Sequence, residues 1–265
     1  TASLSAQQKK PMISVPDFNC KVRLPGVINS YRPTIQPLLT PDGKRLYFDR
    51  KYHPLNLGMN KDCDDIWYSD RNSDGTWNAP VNVGPPLNTS DCDVLFSISP
   101  DGKTALVGGE YENGVKHPGF SMTKWDGKAW GTPQKIVIPD FYNRSGYFYA
   151  NLSADGNVML MGLQRDDTQG SLDLYFSLKD KSGVWSAPKT LGAVVNTKGF
   201  DVSPFLALDG KTLYYSTDGL GGYGKADLFM THRLDETWQN WSKPINLGGS
   251  INTEADEHSV SLNAS

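Results

Sequence analysis

Ser203-Pro-Phe-Leu-Ala-Leu208, Asp209-Gly210-Lys211 and Thr212-Leu-Tyr-Tyr-Ser216 set an apolar run, a tight turn and a second alternating run in succession. The Gly-rich loop Asp218 to Lys225 leads to a third run, Asp227-Leu-Phe-Met-Thr231. Trp241-Ser-Lys-Pro244 then introduces Ile245-Asn-Leu-Gly-Gly249, and Ile251-Asn-Thr253 closes the unit. Short β-rich runs parted by Asp-Gly and Gly-rich turns form a meander. Asp201 to Asn252 therefore reads as one four-stranded antiparallel sheet.

The same signals recur upstream. Asp-Gly turns stand at Asp42, Asp101, Asp155 and Asp209, spaced by 59, 54 and 54 residues on subtraction of their numbers. Trp77, Trp130, Trp185 and Trp241 are each followed three residues later by Pro80, Pro133, Pro188 and Pro244. A period of this length suits a propeller blade. The expected fold is all-β, a β-propeller of four-stranded antiparallel blades, with five blades expected and six the alternative. Residues 1–17 read as a leader whose small residues resemble the end of a signal peptide. Residues 18–265 form the propeller domain, with blades at about 31–88, 93–140, 147–197 and 201–253. Val22 to Ser30 aligns with Ile245 to Thr253, and Glu257 to Asn263 reads as the innermost strand of a further blade. Segments 18–30 and 257–265 are thus expected to build a partial closing blade from both termini. Because that last strand stops before its Asp-Gly turn, the native chain is expected to continue past Ser265.

With 38% apolar and 11% aromatic residues, 265 residues suffice for a large β domain, and 26 glycines and 17 prolines fit dense turns. A net charge of -3 provides no global basic field for nucleic acid. No stretch approaches the roughly 18 apolar residues of a membrane helix.

Thr40-Pro-Asp-Gly-Lys44, Ser99-Pro-Asp-Gly-Lys103, Asp65-Ile-Trp-Tyr68 and Gly221-Gly-Tyr-Gly-Lys-Ala-Asp-Leu-Phe229 resemble the TolB-like propeller repeat. The version carrying Trp-x-x-Pro, Leu-Gly and Ile-Asn-Thr is similar to repeats of Gram-negative outer-membrane and exported proteins. Those repeats often precede an OmpA-like peptidoglycan-binding domain, and some belong to type IX secretion assemblies. The resemblance covers about residues 20–263. It implies export, with a periplasmic, outer-membrane-associated or extracellular location, and a non-enzymatic scaffold whose partner is an envelope protein, with peptidoglycan or another glycan as the lesser expectation.

Residues present in every blade read as scaffold, and residues present in one blade are free for function. The Asp-Gly pairs supply turns, the tryptophans pack between sheets, and Asp65, Asp173 and Asp227 are expected to accept loop N–H bonds. In a meander the second-to-third-strand loops and the blade-to-blade connections share one face. Arg144, Tyr142, Arg165 and Tyr223 are the foremost binding candidates there, because Tyr and Arg make large desolvated contacts. Glu110, Tyr111 and His53 are further candidates. The plain alternative is a solvated loop rim.

Asp62, Asp64 and Asp91 are candidate ligands for Ca²⁺, which takes ~6–8 oxygens, although no EF-hand spacing is present; no other cofactor is expected. His53, His117, His232 and His258 lack zinc spacing. A glycan hydrolase or lyase needs two acids. Thr34–Leu39, Val94–Ser99, Phe148–Ser153 and Val202–Ala207 supply none, leaving Asp93 and Asp201 at the strand entrances. That enzyme is the competing reading, and a structural spacer is a third.

Cys63 and Cys92 sit on loops of one face at the junction of blades one and two, which predicts a disulfide closing 29 residues by subtraction and contributing roughly 3–4 kcal/mol. Cys20 enters from the opposite face and is left free. Thiol titration under denaturing, non-reducing conditions is expected to find one free thiol; three would refute the pairing.

Overall fold

Each Asp-Gly turn folds a strand pair for the same local reason. Asp42 Oδ1 accepts from Thr40 Oγ1 and Lys44 N, Asp101 Oδ1 from Ser99 Oγ and Lys103 N, and Asp155 Oδ1 from Ser153 Oγ and Asn157 N. Asp209 Oδ1 accepts from Lys211 N and Thr212 N. The next residue has φ between 64° and 72° at Gly43, Gly102, Gly156 and Gly210, the left-handed region that glycine enters without steric cost.

The computed structural model describes residues 22–29, 33–59, 63–112 and 115–262. Blade one contains β1 (Thr34–Leu39), β2 (Arg45–Lys51), β3 (Asp64–Asp70) and β4 (Val81–Asn82). Blade two contains β5 (Leu95–Ile98), β6 (Thr104–Glu112), β7 (Val115–Lys124) and β8 (Gln134–Ile136). Blade three contains β9 (Tyr149–Leu152), β10 (Val158–Leu163), β11 (Asp173–Leu178) and β12 (Lys189–Thr190). Blade four contains β13 (Val202–Leu206), β14 (Thr212–Thr217), β15 (Asp227–His232) and β16 (Ile245–Asn246). All four sheets are antiparallel and ordered as the chain runs, and the described residues contain no helix.

The sheets bury their faces against one another. Tyr47 and Ile66 of blade one meet Leu95, Val107 and Trp130 of blade two. Phe96 and Phe120 of blade two meet Met159, Met161 and Tyr175 of blade three. Leu160, Leu174 and Phe176 of blade three meet Leu213, Tyr215 and Trp241 of blade four. Trp130, Trp185 and Trp241 each pack against the preceding blade. Each full burial of a large apolar side chain contributes about 1.5–3 kcal/mol.

The blade count corrects the expectation of five or six: the described residues build four. The terminal segments lie where a fifth would stand without forming one. The Ser261 Oγ accepts from Leu39 N, as the Ser97 Oγ accepts from Leu152 N and the Asn151 Oδ1 from Leu206 N. Residues near 261 therefore take the innermost position of a fifth sector, and Ser261 and Leu262 share the lining of an axial cavity with Leu38, Ile98, Leu152 and Leu206. Ile28 N and Asn29 N both donate to Pro25 O, the turn made by Ile251 N and Asn252 N on Gly248 O. Neither segment is a strand, because no described middle strand is there to pair with it. A cavity of about 410 Å³ takes that place, lined by Leu24, Leu39 and Trp77 on one side and Leu228, Leu247 and Val260 on the other. The leader, residues 1–17, and Cys20 lie outside the described residues.

A side-chain clasp recurs that the sequence reading did not identify. Asn88, Asn196 and Asn252 each accept at Oδ1 from the N–H of Ile66, Leu174 or Leu228, and each Nδ2 donates to the same residue's carbonyl. Each amide thus imitates one residue of a neighbouring strand. Asn196→Ala is expected to lower unfolding free energy by about 1–3 kcal/mol, since the buried Leu174 N–H loses its partner, while Leu174 O keeps the Leu191 N–H. Urea denaturation measures it, and a loss below about 1 kcal/mol would contradict this role.

Candidate functional site

The connection from blade two to blade three is held against β10 by one carboxamide. Asn143 Oδ1 accepts from Gln164 N at 2.8 Å and Ser145 N at 3.2 Å, while its Nδ2 donates to Tyr147 O. Arg144 N donates to Gln164 O at 2.9 Å. Asp140, with φ of 53°, turns the chain into this connection.

Tyr142, Arg144 and Arg165 are brought together here. The Arg165 guanidinium lies 4.1 Å from the Tyr142 ring centroid, and its Nη1 donates to Asp140 O at 2.9 Å and Tyr142 O at 3.4 Å. The Tyr142 hydroxyl accepts from Asp166 N at 3.1 Å. Arg144 pairs with Asp166, and both side chains remain largely exposed, at 63% and 64%. Arg165 accordingly positions the tyrosine, while Tyr142, Arg144 and Asp166 face solvent as a preset group. An exposed ion pair adds at most about 1 kcal/mol to stability.

Tyr223 lies apart, on the loop from β14 to β15. It is 55% exposed and lines a cavity of about 750 Å³ with Val194, Leu220, Phe229, Trp241 and Pro244. Of the remaining binding candidates, His53 and Tyr111 are engaged internally. His53 Nδ1 accepts from Leu55 N, and its ring meets Trp67 edge-on at 4.8 Å. The Tyr111 hydroxyl donates to Leu87 O at 2.8 Å and Asp93 Oδ1 at 3.2 Å. Glu110 is half-buried and stands opposite His117 in the backbone register of the β6–β7 hairpin.

Asp93 and Asp201, the acids of the hydrolase reading, are both buried. Asp201 accepts from Thr197 N at 2.6 Å and Thr197 Oγ1 at 3.0 Å. Asp93 accepts from Thr89 N at 2.5 Å and from the Lys116 ammonium at 2.7 Å. Glu257 does the same for Thr253. These acids hold the blade-to-blade turns.

Of the metal candidates, Asp62 lies outside the described residues, and Asp64 is 3.7 Å from the Lys51 ammonium. Asp91 is exposed, and its N–H donates to Thr89 Oγ1. Cys63 and Cys92 are joined, with Cα atoms 5.1 Å apart. Among the described residues Asp64 gathers with these two sulfurs, and sulfur in a disulfide does not suit a hard cation that takes oxygen ligands. The described donors therefore do not fit a calcium cage.

Asp49 stands outside every candidate named from the sequence. It is fully buried on β2, and one carboxylate oxygen has no partner. Burial holds its pKa well above the usual carboxylate range, and the nearby Asp64 and Asp93 add to this. The signal was present: at the same distance from the Asp-Gly turn the other blades carry Gly108, Gly162 and Ser216.

No family model matches the chain, and no curated protein matches it. Solved structures do. TolB from Acinetobacter baumannii is 18% identical over 78% of this chain and 42% of that chain, with a TM-score of 0.47. A putative TolB from Agrobacterium tumefaciens is 18% identical over 77% and 59%, with a TM-score of 0.44. A GH43_12 protein from a capybara gut metagenome is 12% identical over 86% and 44%, with a TM-score of 0.52. The chain spans 42% to 59% of the length of these three structures. The last likeness shows shared fold alone.

Burial pushes the Asp201 pKa up to about 6, against the Thr217 and Thr197 hydrogen bonds that lower it. A raised carboxyl pKa favours the folded state below the unfolded value of 3.8, and that contribution is lost as pH rises through about 6. The stability of Asp201→Asn relative to wild type is therefore expected to rise between about pH 4 and pH 8 by up to ~3 kcal/mol. Denaturant melts across that range measure it; a flat difference would show that Asp201 is not raised.

Proposed function

We propose that this chain is a non-catalytic binding propeller of the cell envelope, TolB-like in its repeats, which recognises a protein partner through the connection between blades two and three. The observation that carries the reading is the exposed Arg144–Asp166 pair beside Tyr142, held in place by Arg165 and Asn143. A partner meeting this surface need not immobilise it, which lowers the entropic cost of binding. Tyr and Arg are the side chains on which interface energy concentrates.

Export to the periplasm, the outer membrane or the exterior is part of the same proposal, supported by the repeat motifs and the Cys63–Cys92 disulfide. No helix among the described residues is long and apolar enough to cross a membrane. Peptidoglycan or another glycan is the second candidate partner. The engagement of Asp93 and Asp201 with Thr89 and Thr197 weighs against a hydrolase built on them.

Capture from an envelope extract of cells that make the protein tests the reading, with wild type and a Tyr142→Ala, Arg144→Ala double variant as baits. The expected result is one specific protein retained by wild type and reduced roughly tenfold or more with the variant, as loss of two such contacts implies. No specific protein with either bait, together with polysaccharide turnover that disappears in Asp93→Asn or Asp201→Asn, would overturn it.

A further inference from the structure

At the end of the third strand, three blades place a cation beside the recurring Trp. Arg71 bridges to Trp77, Lys179 to Trp185 and Arg233 to Trp241. Arg71 stands 5.9 Å from the Trp77 ring, Lys179 is 5.1 Å from Trp185, and Arg233 is 4.4 Å from Trp238. In blade two this position is Trp125, bridged to Trp130 with ring centroids 5.4 Å apart and planes at 65°. A scaffold position changed in one blade alone is where function enters a repeat.

Trp125 stands between two clefts of about 560 and 430 Å³ that share Arg45, Tyr47, Trp125, Gly127 and Trp130. The larger is bounded by the first-to-second-strand turns of blades one and two, so it opens on the face opposite the proposed protein-binding surface, while the smaller runs along β4 to Pro85 and Pro86 of the blade-to-blade connection. Trp125 is half-buried, with the Arg45 guanidinium of blade one 5.8 Å from its ring centroid, and at neighbouring Gly127 an added Cβ would meet nothing within 4 Å. The polar wall is preset. Arg45 stacks 4.0 Å from the Tyr68 ring centroid and binds Asp70 twice, at 2.6 and 2.9 Å. Trp130 Nε1 donates to the Tyr47 hydroxyl at 3.1 Å.

We infer that this cleft binds an uncharged oligosaccharide, with one pyranose ring stacked on Trp125. Asp42, Asp70 and Asp101 balance Lys44, Arg45 and Lys103 in the larger cleft, so the lining carries no net formal charge and favours no ionic ligand. A pyranose offers what such a wall fits. Its C–H face meets the negative face of an aromatic ring, and its hydroxyls both donate and accept toward guanidinium, ammonium and carboxylate groups. The cleft volume falls in the range of small-ligand sites.

The experiment is calorimetric titration of the whole chain with chitohexaose, cellohexaose, maltohexaose and mannohexaose. Wild type, Trp125→Phe and Trp125→Arg are compared. Trp125→Arg installs the residue that blades one and four hold at this place, so the scaffold tolerates it, and thermal melts check that it folds. The expected result is binding of at least one hexaose by wild type, retained within a few-fold by Trp125→Phe and weakened roughly tenfold or more by Trp125→Arg. No heat with any hexaose on wild type, or equal affinity in a folded Trp125→Arg protein, would overturn the inference. Neither outcome touches the protein-binding reading, which rests on the other face.

Discussion

A buried main-chain amide without a partner costs about 1–3 kcal/mol, and a propeller folds only if its many tight connections avoid that penalty. This chain meets the constraint with short acidic and amide side chains. Asp65 accepts from Leu57 N, Asp173 from Gln169 N and Gly170 N, and Asp227 from Tyr223 N and Gly224 N. Asn88, Asn196 and Asn252 clasp the third strand of their blades. Asp93, Asp201 and Glu257 take the next turn. Burying carboxylates has its own desolvation cost, and the raised pKa values of Asp93, Asp173 and Asp201 record it. The loop geometry follows from where these acceptors stand.

That arrangement also separates scaffold from surface. Because the recurring acids are consumed inside the turns, residues free to meet another molecule are those that break the repeat. The proposed contact residues do so, Tyr142 and Arg144 on one face and Trp125 on the other. Arg165 shows how thin the boundary is: it belongs to no repeat, yet its guanidinium is spent on Tyr142 and two carbonyls.

Much of the fold was legible because turn chemistry is local. Asp209-Gly210 and its three counterparts report their own geometry, and Trp-x-x-Pro marks the approach to the last strand. The fifth blade was misjudged because periodicity describes one strand at a time, whereas a sheet needs neighbours. Glu257 to Leu262 has the pattern of an inner strand and occupies that position, but nothing described pairs with it. The candidate site was legible in part. Loop-face logic put Tyr142, Arg144, Arg165 and Tyr223 on one face, of which the first three meet and Tyr223 stands apart; it could not tell that His53 would close against Trp67 or that the Tyr111 hydroxyl would be turned inward onto Leu87. Those outcomes depend on contacts between residues distant in sequence. The burial of Asp49 was not legible because this residue stands on a second strand, where burial of a lone acid depends on how neighbouring blades pack.

The inner-strand locks differ in how far they reach along the chain. Leu152 to Ser97 and Leu206 to Asn151 each join residues 55 apart, whereas Leu39 to Ser261 joins residues 222 apart. Loop closure entropy grows with the logarithm of that separation, so the last lock costs about 1 kcal/mol more to make than the others. It also lies beside a cavity rather than a packed sheet. The ring therefore has a preferred order of assembly, with the blades stacking sequentially and the contact between blade one and the segment after blade four forming late. Among the described residues, the same contact is the place where the ring opens most readily, so spontaneous breathing there would expose the flank of blade one before any of the three sandwiched interfaces.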